Sequence, residues 1–278
     1  VIICTCPRAA STFPVIKWHG SPLIAPSLNL AILCSESRKL VLWRYTKVNP
    51  THILFCCSMD SKTTFTNYLR EHFAPLLRST GFNGSGSNFR RISNDVIQCV
   101  NIQGNKYGGS CAVNLGLHLT FLPIAHTGKC PNIKTVKEVD CDFRKRLTPD
   151  DAGDYWWDYK GSILDPTKNA KHLIRTYEEN GATCFAKCIS TDQVAAMITV
   201  DDLRSNTVIH TFGTMTVPRA SLTMARIHAH IGNGALAREY ANIGLENIGR
   251  ATALKEKLQA VINATEQSRE PERRSHAD

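Results

Sequence analysis

The 278-residue chain has no Cys-x-x-Cys pair, no Gly-x-Ser-x-Gly elbow and no Gly-Lys followed by Ser or Thr. The first absence removes the common zinc and thioredoxin-like patterns, the second the α/β-hydrolase nucleophile and the third the P-loop. Long apolar runs are missing too. The longest in the first 58 residues is "LNLAILC", 28–34, about half of what a membrane span needs, so no membrane partner is expected. Acids are almost absent before Met59, the first of four methionines: residues 1–58 hold six Lys or Arg against the single Glu36 and supply +5 of the net +9. The remaining +4 is spread without a basic run, which speaks for solubility rather than for a nucleic-acid partner.

At 42% hydrophobic and 21% charged residues, the chain is in the globular range, as one large domain or two small ones. Five of its eleven cysteines (Cys4, Cys6, Cys34, Cys56, Cys57) and five prolines fall in residues 1–58, where only "LVLWRY" at 40–45 reads as a strand. We read 1–58 as a non-native or disordered leader, with the folded protein starting near Met59. The six later cysteines stand singly, as the reduced, buried thiols of a cytoplasmic protein do.

From Asp60 the pattern is regular. Asp60 or Ser61 caps a helix with apolar positions at Phe65, Tyr68, Leu69, Phe73, Leu76 and Leu77; Pro75 is expected to kink it and Gly81 to stop it. "GFNGSGSNF" (81–89) reads as a flexible turn. Its glycines follow a helix and precede a strand, the wrong order for a dinucleotide loop. Two strands follow, 95–103 and 110–122. In the second, Cys111, Val113, Leu115, Leu117, Leu119 and Phe121 alternate with smaller or polar residues, the sign of a half-buried strand. "CDFRKRL" (141–147) reads as a short strand. Beyond Pro166 the periodicity is helical over 167–181, 191–204, 219–231, 234–248 and 252–265, with Gly232-Asn233-Gly234 making 219–248 a helical hairpin. The fold class is therefore α+β: an N-terminal helix packed on a short antiparallel β-sheet, followed by a mainly helical C-terminal region. The expected organisation is a leader at 1–58, an α+β domain at 59–165, a helical region at 166–265 and a disordered tail at 266–278.

The ordered set "LLRSTGF" (76–82), "FRRI" (89–92), "NIQ" (101–103), "VNLGL" (113–117), "FRKRL" (143–147) and Trp156-Trp157 resembles the bacterial domain of unknown function family 4304, best over 62–160. The resemblance implies a fold neighbourhood and no particular activity.

Two groups of residues are candidates for function. Trp156 and Trp157, flanked by acids and by Arg144 and Arg146, have the composition of a protein-binding hot spot, one indole facing the core and the other the surface. The nearby acids argue against a track for nucleic-acid phosphates. The leading expectation is a non-enzymatic cytosolic protein that binds another protein, without metal or other cofactor. The alternative is a metal-dependent hydrolase or nuclease built on the acidic loop 140–158, with Asp140 and Asp142 holding the ion and Lys145 supporting the attacking water. His228 and His230 are two apart on a helix, too divergent to share an ion, and read as surface histidines. Cys184 and Cys188 read as a buried stripe.

Overall fold

The structure, a computed structural model, describes residues 60–150, 153–160, 165–206 and 212–267, together with the strands Leu30–Leu33, Leu40–Trp43 and Ile209–His210. The chain divides into two compact units, Val1–Cys57 and Ser58–Asp278. In the first, β1 (Leu30–Leu33) and β2 (Leu40–Trp43) pair antiparallel, with Leu30 opposite Trp43, so the strand read in "LVLWRY" is present. The other expectations for 1–58, and those for the tail beyond Gln267, lie outside the described residues.

The second unit opens with α1 (Ser61–Tyr68), where Asp60 accepts from the Thr63 N–H at 3.0 Å. The helix runs through a π turn, Leu69–Phe73, into α2 (Ala74–Ser79). Its buried residues Phe65, Leu69, Phe73 and Leu77 are spaced by four. At 3.6 residues per turn the last would sit about 120° round from the first, and the wider π turn takes up that difference. Pro75, which has no N–H to donate, falls directly after the π turn, where the i→i−4 ladder is already interrupted. Gly81, at φ +90°, ends the helix. The Phe82 N–H donates to Leu77 O and the Gly81 N–H to Arg78 O, both at 3.0 Å, closing the helix with a Schellman motif.

Five strands follow in antiparallel order: β3 (Asn83–Ser85), β4 (Asn88–Ser93), β5 (Val96–Gly104), β6 (Ser110–Leu119) and β7 (Phe143–Arg146). A sixth, β8 (Trp157–Asp158), pairs with the start of β6. The β3–β4 pair corrects the reading of 81–89 as a turn. Gly84 lies so close to the facing strand that a Cβ there would be 2.2 Å from the Asn88 carbonyl oxygen, so glycine is what permits the pairing.

The second correction concerns β6, which is buried on both faces rather than one. Cys111, Val113, Leu115, Leu117 and Leu119 join the main apolar cluster with Phe65, Phe73 and Leu77. On the opposite face, Gly116 and His118 lie under the segment 120–142, whose Val136 and Cys141 form a small cluster with Ile97 and Cys99. Two arginines fasten that segment. Arg90 donates to the carbonyls of Val136, at 3.0 Å, and of Lys134, and Arg144 donates to the buried Glu138 carboxylate at 2.5 Å.

The helical region begins with α3 (Pro166–Thr176), capped by Asp165, and continues through a second π turn, Tyr177–Gly181, into α4 (Ala182–Ala186). Gly181 is thus inside the helix rather than at its end. A Cβ there would lie 2.7 Å from the Tyr177 ring. Then come α5 (Thr191–Ala195), α6 (Val200–Arg204), the short hairpin β9 (Ile209–His210) and β10 (Gly213–Thr214), α7 (Val217–His230), α8 (Gly234–Glu246) and α9 (Lys255–Gln267). The expected α7–α8 hairpin is present, with Gly232 at φ +82° and Asn233 capping α8 through the Leu236 N–H at 3.2 Å. One apolar cluster extends from Phe65 to Ile262. The α+β reading holds: helices at the N-terminus of this unit pack on a small antiparallel sheet, and the C-terminal region is mostly helical. Among the described residues no helix is long and apolar enough to cross a membrane.

Candidate functional site

Trp157 opens β8 and Trp156 directly precedes it, and the two indoles have different surroundings. Trp157 stands opposite Cys111 of β6, is 1% exposed and packs edge-on against Tyr155 with ring centroids 4.8 Å apart. The sequence reading placed Trp157 among the partner-binding residues; its burial makes it a core residue instead. Trp156 is half-buried. Its Nε1–H donates to Asp154 Oδ2 at 2.9 Å, and the Arg146 guanidinium lies 5.0 Å from its ring centroid, within cation–π range.

Arg146 is itself fixed from two sides. Its Nε donates to Asp154 Oδ1 at 2.7 Å and its Nη1 to Gln103 Oε1 at 3.2 Å. The network continues along the sheet: Asn114 Nδ2 donates to Gln103 Oε1 at 3.0 Å and to Asn101 Oδ1 at 3.2 Å. Arg144, two residues before Arg146 and so on the same face of β7, is half-exposed and paired with Glu138. Gln103, Asn101 and Asn114 were not singled out from the sequence, because their link to Arg146 depends on the β5–β6–β7 register and leaves no local signal.

The acids and the lysine of the alternative reading have separate engagements. Asp140 Oδ2 accepts from the Lys137 N–H at 2.9 Å, closing a 3₁₀ turn, and its other oxygen lies 3.7 Å from His126. Asp142, with a side chain 7% exposed, accepts from Arg219 Nη2 at 2.7 Å. Lys145 stands opposite Leu115, in register with the sheet face that carries Phe143. Among the described residues no three of His, Cys, Asp or Glu come together as a metal-binding group.

His118 is fully buried. Its Nε2 lies 3.0 Å from Leu122 O and its Nδ1 accepts from the Asp142 N–H at 3.2 Å, the pattern of a neutral Nε2–H tautomer with both nitrogens satisfied. Burial pushes its pKa below the ordinary 6.5, against the pull of Asp142. Both contacts are local or backbone-mediated, and this residue holds the 120–142 segment on the sheet rather than facing solvent.

His228 is a further correction. It is buried, not at the surface, and stacks on Tyr240 with ring centroids 5.0 Å apart. It lines a cleft of about 540 Å³ that includes Asp192, Asp201, Leu236 and Tyr240. His230 faces a different cleft, as the two-residue spacing requires, and stacks on Phe121 with centroids 3.5 Å apart. Cys184 and Cys188 are both buried, as a stripe should be.

No curated protein and no solved structure matches the chain. The resemblance read from the ordered motifs is borne out by a family model that covers the whole stretch they span, Arg144, Arg146, Trp156 and Trp157 included. Over residues 73–185 the chain matches the family model described as a domain of unknown function, DUF4304.

Proposed function

We propose that the protein is a non-enzymatic cytosolic module that binds another protein through the surface centred on Trp156. One observation carries this reading. Trp156 is held in place by Asp154 and Arg146, and Arg146 by Asp154 and Gln103, so the indole is ordered by a polar network outside the core. An aromatic and an arginine fixed before encounter lose little side-chain entropy on binding, and these two residue types dominate binding hot spots. Arg144 extends the same surface along β7. The cytosolic part of the reading is supported by the six described cysteines after Met59, all of them free thiols.

The test is affinity capture with the tagged full chain. Trp156→Ala is the informative variant, with Trp157→Phe as control; Trp157→Ala is unsuitable, because emptying a buried indole site costs about 3–5 kcal/mol. A stoichiometric partner retained by the wild type and by Trp157→Phe, and lost from Trp156→Ala at unchanged thermal midpoint, is the expected result. Equal capture by the wild type and Trp156→Ala overturns it.

A further inference from the structure

The clefts on the two sides of α7 differ in charge. The one beside Tyr240 includes the acids Asp192 and Asp201 and no Lys or Arg. The other, about 440 Å³, lies between the turn at 121–123, α7 and α9; its lining includes Arg226, His230 and Lys257 and no acid. Its remaining walls are apolar, with Phe121, Pro123 and Val261 partly exposed on them.

Arg226 is the telling residue. Arg226 is half-buried, yet the carboxylate that acts on its guanidinium, Asp142, is taken by Arg219 at 2.7 Å. Arg226 has no ion pair of its own to a described residue. Two guanidinium groups therefore share one carboxylate, and Lys257 adds a further positive charge from α9. A partly desolvated guanidinium is stabilised by a carboxylate that meets its planar fork of donors, and such a pair strengthens as water is excluded. Burial also holds the Arg226 pKa below its ordinary value, the direction expected of a cation without a dedicated counter-ion.

We propose that this cleft binds a small amphipathic carboxylate, its anionic head on Arg226 and Lys257 and its hydrocarbon body along Phe121 and Val261. The apolar walls supply affinity in proportion to the area they cover, and the bases supply the sign of the charge. No other site described above combines unpaired positive charge with an apolar cleft.

Calorimetric titration of the full chain with octanoate tests it, with 1-octanol, octylammonium and acetate as separate arms. Saturable 1:1 binding of octanoate is expected, with each of the other three weaker by about tenfold or more. Arg226→Gln is expected to weaken octanoate by about tenfold, and Arg226→Lys by less. Lys257 is exposed on α9; Lys257→Gln is expected to weaken binding by about threefold at unchanged thermal midpoint, which keeps the test valid if the Arg226 variants fail to fold. Equal affinity for 1-octanol and octanoate, no saturation by octanoate at millimolar concentration, wild-type affinity in a folded Arg226 variant, or wild-type affinity in Lys257→Gln overturns the proposal.

Discussion

Asp142 and Arg219 stand 77 residues apart in the chain and meet at 2.7 Å. The same aspartate donates its backbone N–H to His118, so one residue links β6, the entry to β7 and α7. Asp142→Ala is expected to lose about 2 kcal/mol of stability, less than a fully buried broken pair because the Arg219 side chain is 39% exposed and solvent screens it. Urea denaturation of Asp142→Ala, Arg219→Met and the double variant gives the coupling; additive losses would mean that the contact contributes nothing. A loss of any activity in Asp142→Ala is to be read against that stability change before it is assigned to chemistry.

His118 makes stability depend on pH in a defined direction. Its folded pKa lies below the ordinary 6.5, so as pH falls through 6.5 the unfolded chain takes up a proton that the folded chain refuses. The contribution is complete above 6.5 and declines as pH falls below it, by at most about 1.4 kcal/mol per pH unit for one proton. His228, also shifted down by burial, adds in the same sense. Denaturation between pH 7 and 5 is expected to show a shallower acid slope in His118→Gln than in the wild type; parallel slopes would show that His118 takes up its proton alike in the folded and unfolded states.

Gly116 tests how the 120–142 segment seats on the sheet. A Cβ at this position would lie 2.8 Å from Cys141 Sγ and 3.1 Å from the Glu138 Cα. Gly116→Ala is expected to cost about 1–3 kcal/mol by overpacking. Adding Cys141→Ala relieves the sulfur contact but not the backbone one, so only part of the loss returns. Full recovery in the double variant would show that the segment shifts freely.

Thiol accessibility separates the cysteines of the second unit. Cys130 is exposed, whereas Cys99, Cys111, Cys141, Cys184 and Cys188 are buried. Burial pushes Cys111 up to about 12 and Cys188 up to about 11, which leaves little thiolate at neutral pH. Brief alkylation of the native full chain at pH 7.5 followed by peptide mapping is expected to label Cys130 well ahead of those five. Comparable labelling of Cys111 would contradict the closed sheet face.

Elements whose signal is local were legible in the sequence. The cap at Asp60, the stop at Gly81, the β5–β6 hairpin and the α7–α8 turn each rest on residues within a few positions of one another. The strand period was enough to expect one of Trp156 and Trp157 in the core and the other nearer the surface. Which of them enters the core does not, because that depends on pairing with Cys111, some 46 residues earlier. The second covered face of β6 was hidden for the same reason: Gly116, His118 and Arg90 announce a covering segment only once 120–142 has folded back. His228 looked like a surface residue because a histidine on a helix carries no mark of a facing tyrosine. In β3, Asn83, Gly84 and Ser85 pair through backbone and offer no apolar alternation to read.

The two π turns carry a consequence for how the chain can vary in length. Each adds one residue beyond an α-helical path, and they touch, the Phe73 and Tyr177 rings meeting edge-on at 5.2 Å. Deleting a single residue from either turn would restore a regular helix and rotate everything downstream by about 100°. Leu77 and Phe82 would leave the core in one case, Cys184 and Phe185 in the other. Within the segments 61–79 and 166–186, homologous chains should therefore differ by substitution and keep their length, with gaps and insertions confined to the connections outside them.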